Sequence, residues 1–201
     1  MFHKLFHDFV TLFVVINPVG TVPLFLAVAG LENEQRRRRI ALHAVLIAAV
    51  ILLVFIAIGQ LVIEALDIDL ASFQIAGGLV LLLIGLRMVL EEVRPPLQHT
   101  GSWGNVALFP LAMPFIAGPA SLMAVMLLTD DNVYTVWEQV ETAAIALSVL
   151  AITYGFLTSA ESVQRYLGAT GTSVVSRIMG LILSALAVQA MLGGLLATKL
   201  L

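Results

Sequence analysis

The sequence contains no cysteine, so disulfide bonds, thiol redox chemistry and cysteine-based metal sites are all excluded. Charged residues are also scarce: they make up 11% of the 201 residues, against about 25% in a typical soluble domain. Hydrophobic residues make up 60% of the chain. This composition predicts an all-α membrane protein whose whole length, residues 1–201, forms one transmembrane domain.

Long stretches without Asp, Glu, Lys or Arg locate the membrane spans. A helix needs about 20 residues to cross a hydrocarbon core of about 30 Å. Six stretches can each hold one span, at residues 9–31, 40–63, 70–86, 95–129, 142–160 and 178–198. The third is short, but Met88 to Leu90 extend it because the long Arg87 side chain can reach the interface, and the fourth narrows to a helix over about 105–129. The first resembles a cleavable signal peptide, but the helix-breaking motif that begins at Asn17 favours a retained first helix.

The distribution of basic residues predicts the orientation. Basic residues concentrate in cytoplasmic segments of membrane proteins. Eight of the ten lie in the connections 1–2, 3–4 and 5–6: Arg36, Arg37, Arg38, Arg39, Arg87, Arg94, Arg165 and Arg177. Both termini are therefore predicted outside the cytoplasm. The four consecutive arginines are explained by this rule, and no nucleic-acid partner is expected.

The second half of the sequence echoes the first. Asn17-Pro18 in span 1 aligns with Gly118-Pro119 in span 4, the starts of spans 2 and 5 align, and the glycine motif of span 3 aligns with that around Gly180 in span 6. The two repeats cover about 1–94 and 102–201. Because each has three spans, the second copy enters the membrane from the opposite side, which is the inverted-repeat architecture of many secondary transporters.

Helix-breaking residues fall near the middle of spans 1 and 4. Asn17 and Gly118 suit N-caps, and Pro18 and Pro119 suit the first position of a helix that restarts there. Pro23 and Pro114 support these breaks by removing further backbone hydrogen bonds. The first amides of each restarted helix, up to Thr21 and Leu122, are expected to lack helical partners, and some carbonyls before each break are expected to be free.

Such breaks predict a binding site at the centre of the membrane. Helix N-termini attract a carboxylate, and free carbonyls attract an ammonium group, so a small zwitterion satisfies both. The candidate substrate-binding residues are Asn17, Pro18, Val19, Gly20, Thr21, Gly118, Pro119, Ala120 and Ser121. Alternatively, the prolines only kink packed helices, and Ser and Thr hydroxyls bond the freed carbonyls.

No acidic or basic residue lies in the middle of a predicted span, so no fixed counter-ion and no buried proton carrier are expected. The spans also lack the nucleophile and base of an intramembrane hydrolase, which argues against an enzyme. No cofactor or metal is predicted, although a coupling proton or sodium ion is compatible with the sequence. A scaffold without transport activity, or an exporter of other small solutes or drugs, stays open as an alternative.

The motifs Asn17-Pro18-Val19-Gly20-Thr21 and Pro114-Phe115-Ile116-Ala117-Gly118-Pro119 resemble the signature of the MarC family of bacterial inner-membrane proteins. The resemblance covers essentially the whole chain, although Ala120-Ser121 departs from the glycine more usual after this Gly-Pro pair. It implies six spans in a 3+3 inverted repeat, periplasmic termini, and transport of small neutral amino acids such as glycine and alanine. It does not predict the oligomeric state or the direction of transport.

Overall fold

A computed structural model describes residues 2–29, 32–90, 116–131 and 133–198, and these residues form only helices and the turns between them. The helices are α1 (Phe2–Ile16), α2 (Pro18–Ala29), α3 (Glu34–Ala65), α4 (Leu70–Leu90), α5 (Pro119–Leu128), α6 (Val136–Thr158) and α7 (Ala160–Ala197). Helix α7 contains a kink at Gly168, where φ is 65°. The prediction of an all-helical membrane protein is confirmed at this level.

Five helical stretches of the described chain are long and apolar enough to cross a membrane. They are His3–Leu26, which combines α1 and α2, then Glu34–Ala65, Leu70–Leu90, Val136–Thr158 and Gly171–Ala197. Helix α5 has 10 residues and therefore a length of about 15 Å, half of a hydrocarbon core. The first part of the predicted fourth span, residues 105–115, lies outside the described residues, and this part includes Pro114.

The four consecutive arginines were predicted in the connection between spans 1 and 2, whereas the structure places them in the first turns of α3. Asn33 caps this helix by accepting a hydrogen bond from the Arg36 amide, and Glu34 lies in the first turn, where a negative charge is favourable. Arg38 also forms an ion pair with Glu34 at 2.7 Å. Because of this cap and these charges, α3 begins at Glu34, six residues before the uncharged stretch (40–63) from which the span was predicted.

Helix α3 presents a row of apolar side chains to the outside of the protein. Its exposed members recur about every four residues: Leu46, Val50, Val54, Ile58 and Leu61. In water such a stripe would be unfavourable, whereas contact with lipid chains costs nothing. The exposed surfaces of α4 and α7 are likewise apolar, for example at Leu83 and Leu181.

The most buried parts of the structure are the short helices α2 and α5 and the end of α1. Ile16, Val22, Phe25, Ile116 and Val125 are almost completely buried. The interrupted segments therefore lie inside the protein, and the long helices lie around them.

Helices α4 and α7 run antiparallel and make the most extensive contact of the fold. Glycines bring their backbones together: a Cβ atom added to Gly85 would lie 2.8 Å from the Gly180 carbonyl oxygen, and one added to Gly194 would lie 2.8 Å from the Ala71 carbonyl oxygen. Small residues allow this approach, which is how helices pack tightly where water is absent.

Candidate functional site

The first interruption lies at Asn17, between α1 and α2. Asn17 has a left-handed backbone, with φ of 52°, a conformation that Asn tolerates better than most residues. Its side-chain oxygen accepts a hydrogen bond from the Gly20 amide at 3.0 Å, and its carbonyl accepts from the Thr21 amide at 3.1 Å. Asn17 thus acts as the N-cap of α2. The Gly20 amide therefore bonds a side chain and no helical carbonyl, whereas the Thr21 amide has a backbone partner, contrary to the prediction.

The second predicted interruption lies directly before α5, where the structure describes the chain from Ile116 onward. Gly118 is the N-cap residue, with φ of −84° and ψ of 178°, and Pro119 is the first helical residue. No side chain caps this end, so Ala120 and Ser121 occupy the first-turn positions whose amides have no partner inside a helix. The Leu122 amide, in contrast to the prediction, has a partner: it donates to the Gly118 carbonyl at 2.9 Å, because the amide four positions after the N-cap residue reaches that residue's carbonyl.

The two interruptions meet at one cavity of about 30 Å³. Its polar side is formed by Asn17, Thr21, Gly118, Ala120 and Ser121. Its apolar side is formed by Val15, Ile16, Leu81, Ile84 and Leu183. Residues about one hundred positions apart in the sequence thus share a single enclosed space, in which an anionic group would lie close to the N-terminus of α5.

Five of the nine predicted binding residues line this cavity, and four do not: Pro18, Val19, Gly20 and Pro119. Gly20 has a different role. A Cβ atom there would lie 2.2 Å from the Asn17 side-chain nitrogen, so Gly20 leaves room for the capping side chain. Pro23 lies inside α2 and Pro119 is exposed.

The two hydroxyl groups at the cavity already have acceptors. Thr21 Oγ1 donates to the Asn17 carbonyl at 2.9 Å, and Ser121 Oγ donates to the Ile116 carbonyl at 2.8 Å. A cavity of about 30 Å³ is small and has room for little more than ordered water. An amino acid requires this space to open and these hydroxyls to change partners.

The apolar wall of the cavity was missed because Leu81 and Leu183 look like ordinary leucines of a span. One signal was available, since the two leucines are 102 positions apart and therefore equivalent in the sequence repeat. Met88 was missed as well. Its sulfur lies 3.6 Å from the Asn17 side-chain nitrogen and holds that side chain from the α4 side.

A buried polar cluster joins the first part of α1 to α6 and contains a buried acid, Asp8, just outside the predicted first span. Asp8 is completely buried, and one of its carboxylate oxygens accepts hydrogen bonds from Lys4 at 2.7 Å and from Thr142 at 2.8 Å. Lys4 also donates to Thr142 at 2.9 Å and lies 4.5 Å from the centre of the Tyr134 ring. Asp8 was overlooked because it immediately precedes the uncharged stretch, whereas α1 begins at Phe2.

An ion pair joins α3 to α7. The Arg37 guanidinium in α3 donates to the Glu161 carboxylate in α7. This contact holds the pKa of Glu161 below its ordinary value of 4.5, because the arginine stabilises the charged carboxylate. No group of His, Asp and Glu within the described ranges is arranged to hold a metal ion.

Comparisons with known proteins agree on one family. The family model for MarC family integral membrane proteins matches residues 2–198. A UPF0056 membrane protein of Methanocaldococcus jannaschii is 37% identical over 192 residues, which cover 93% of this chain and 93% of the relative. The UPF0056 inner membrane protein MarC of Escherichia coli is 32% identical over 203 residues, covering 93% of this chain and 91% of the relative. No solved structure matches the chain. With a match that runs almost from end to end, the chain belongs to the MarC family of integral membrane proteins.

Proposed function

We propose that the protein is a secondary transporter of small neutral amino acids, built from two inverted repeats of three spans and binding its substrate between the two interrupted helices. The observation that carries this proposal is the cavity that Asn17 and Thr21 share with Gly118, Ala120 and Ser121. Non-helical backbone at membrane depth is tolerated where it is buried in protein or lines a cavity, and transporters use such places as binding sites.

Contacts between α4 and α7 support the inverted repeat. A Cβ atom added to Gly78 would lie 2.7 Å from the Met191 side chain, and one added to Gly180 would lie 2.8 Å from the Met88 side chain. The two contacts pair corresponding residues of the two repeats: Met191 is 103 positions after Met88, and Gly180 is 102 positions after Gly78. A pseudo-twofold axis between the two helices produces this pairing, and it relates the two interruptions as well.

The two ends of the cavity suit the two ends of an amino acid. The uncapped N-terminus of α5, at Ala120 and Ser121, attracts the carboxylate. The carbonyls of Asn17 and Ile116, which now accept from Thr21 and Ser121, can accept from an ammonium group instead. The apolar wall at Leu81 and Leu183 leaves room only for a small side chain.

The small cavity corresponds to a closed conformation in this proposal. Alternating access opens the space first to one side of the membrane and then to the other, through motion of one repeat against the other. The named Escherichia coli relative is an inner membrane protein, and we place this chain in the same membrane with both termini outside the cytoplasm, following the distribution of its arginines.

Exchange of labelled alanine or glycine in liposomes tests the proposal. Purified protein should exchange either amino acid faster than empty liposomes do. Gly118→Val places a side chain in the cavity and should abolish exchange. Gly155→Val is the matched control, because a Cβ atom at Gly155 has no neighbour within 4 Å. Folded wild-type protein that exchanges no small amino acid would overturn the proposal, as would full activity of Gly118→Val.

One observation favours a second candidate, a membrane scaffold without transport activity. The Thr21 and Ser121 hydroxyls already bond backbone carbonyls, which is how a packed, permanently kinked helix is stabilised. Thermal unfolding across a panel of amino acids separates the two candidates. A ligand at a hundred times its dissociation constant stabilises by about 2.7 kcal/mol, whereas a scaffold shows no ligand-dependent shift.

A further inference from the structure

Only one of the two oxygens of the buried Asp8 carboxylate has hydrogen-bond partners among the described residues. Oδ2 receives both hydrogen bonds of the cluster, from Lys4 and Thr142, whereas Oδ1 is buried and has no hydrogen-bond partner among the described residues. A buried polar atom without a partner is costly, and native structures satisfy almost all of them. Its persistence inside an apolar helix indicates a function.

His7 lies beside this oxygen and reaches the solvent side. Its Nδ1 atom is 3.6 Å from Asp8 Oδ1, and its side chain is 62% exposed while Asp8 is 0% exposed. The distance is too long for a hydrogen bond. Asp8 Oδ1 can only accept, and Nδ1 of neutral imidazole donates in only one of its two tautomers, whereas protonated imidazole always carries a hydrogen on Nδ1 that it can donate to Oδ1. Imidazole is also the side chain that exchanges protons near neutral pH.

The surrounding groups favour a proton over a metal ion. Lys4 and His7 face Asp8 from its own helix, and Tyr134, Glu138 and Thr142 face the cluster from α6 and the turn before it. The Lys4 ammonium, 2.7 Å from Oδ2, opposes any added positive charge, but a metal ion would also need several further ligands, and the described residues do not group such ligands here. A proton needs no further ligands and converts Asp8 into a neutral acid.

We propose that Asp8 and His7 form a proton-binding site, and that loading this site releases α1 from α6. A proton from water binds His7 and passes from Nδ1 to Asp8 Oδ1, where an O–H bond forms as the N–H bond breaks. Neutral Asp8 no longer balances the Lys4 ammonium, and Lys4, already 15% exposed, moves towards water. The hydrogen bonds between α1 and Thr142 are then lost.

The released helix leads directly to the cavity. Asp8, Leu12, Val15 and Ile16 form the buried stripe of α1, and the last two line the cavity. Nine residues separate Asp8 from Asn17, which is about 14 Å along the helix. A proton bound at Asp8 therefore acts on the same helix face that encloses the substrate, a step that rests on the transport function proposed above.

The absence of native cysteine makes the release directly measurable. Spin labels at Val10→Cys and Val140→Cys, two exposed positions on α1 and α6, report the distance between these helices in liposomes. Lowering the pH from about 8 to about 5 should lengthen the distance or broaden its distribution. The same labels in the Asp8→Asn background should show no pH dependence. The matched control Glu64→Gln, an exposed acid of α3, should behave like the wild type.

If the distance between the two spin labels does not depend on pH in the protein that keeps Asp8, the proposal is overturned. A pH response that persists in the Asp8→Asn background would also overturn it. Infrared spectra give a second readout: acidification should produce a protonated-carboxyl band that Asp8→Asn removes and Glu64→Gln retains. If His7→Gln leaves the pH of this transition unchanged, His7 has no part in the site.

Transport is measured separately, so the two proposals fail separately. Alanine exchange should accelerate as the external pH falls in the wild type and be independent of pH in Asp8→Asn. A pH-dependent distance in a protein that exchanges no amino acid would leave the proton site standing and overturn the transport function. Alanine exchange with a pH-independent distance would do the opposite.

Discussion

The two interruptions differ in how their helix ends are satisfied. At Asn17 the side chain accepts from the Gly20 amide, so the protein caps this helix itself. At Gly118 there is no side chain, and α5 begins uncapped. The two places that align in the sequence thus differ in chemistry: the first is complete without a ligand, and the second can take a hydrogen-bond acceptor from outside. We infer that the substrate carboxylate binds at Gly118 to Ser121, and that Asn17 shapes the cavity.

The largest effect is expected from giving the second interruption a cap of its own. Gly118→Asp introduces a carboxylate where we place that of the substrate, and φ of −84° is open to any residue. Like charges in such contact cost several kcal/mol, so alanine exchange should fall by more than about a hundredfold. Thermal unfolding should be unchanged or improved, since Asp is a good N-cap. Equal exchange by wild type and variant would contradict the assignment of the carboxylate.

Removing the cap from the first interruption should reduce stability. Asn17→Ala loses the hydrogen bond to Gly20 and places alanine at φ of 52°. A lost cap costs about 1 kcal/mol, and the left-handed backbone adds roughly 1–2 kcal/mol. Asn17→Gly is the matched variant, because it keeps the backbone conformation and should lose only a few tenths of a kcal/mol. Reversible unfolding in mixed detergent micelles measures both, and similar losses for the two variants would be inconsistent with this account.

Much of the fold follows from the sequence, because lipid imposes uncharged stretches of known length. The long helices α3, α4 and α6 and both restart positions, Pro18 and Pro119, follow from charge-free runs and proline position alone. Helix ends are less predictable: α3 begins at its cap, Asn33, outside the uncharged stretch. The burial of Asp8 depends on the register between α1 and α6, which no local pattern determines. Local patterns also do not show that Leu81 and Leu183 line the same cavity.

A smaller effect is expected from the hydroxyl of the second interruption. Ser121→Ala frees the Ile116 carbonyl, which now accepts from Ser121 at 2.8 Å. A typical hydrogen bond contributes about 1 kcal/mol, so unfolding should shift by about this amount. Thr21→Val removes the corresponding hydroxyl of the first interruption, but there the Asn17 carbonyl keeps the Thr21 amide as a donor. Thr21→Val should therefore lose less stability than Ser121→Ala. A larger loss for Thr21→Val would show that the Asn17 carbonyl depends on the Thr21 hydroxyl more than the Ile116 carbonyl depends on that of Ser121.

The smallest effect is expected at the Arg37–Glu161 ion pair. Because the folded-state pKa of Glu161 is lowered, its contribution to stability is complete above the ordinary value of 4.5 and is lost as the pH falls through the folded value. Glu161→Gln should therefore lower the unfolding temperature slightly at neutral pH, and the difference from wild type should disappear in acid. A gap that widens on acidification would show that Arg37 does not stabilise the charged carboxylate.

The glycine contacts between α4 and α7 have a mechanical consequence. Gly85 and Gly180 let the two backbones come into direct contact, so no deformable layer of side chains separates the helices there. In the transport cycle that we propose, one half would rotate about this contact, which moves nearby atoms little and distant atoms most. Leu81 and Leu183, one turn away, would then shift by a fraction of the displacement at the far ends of α3 and α6, so that large openings at either surface would require only small adjustments around the cavity.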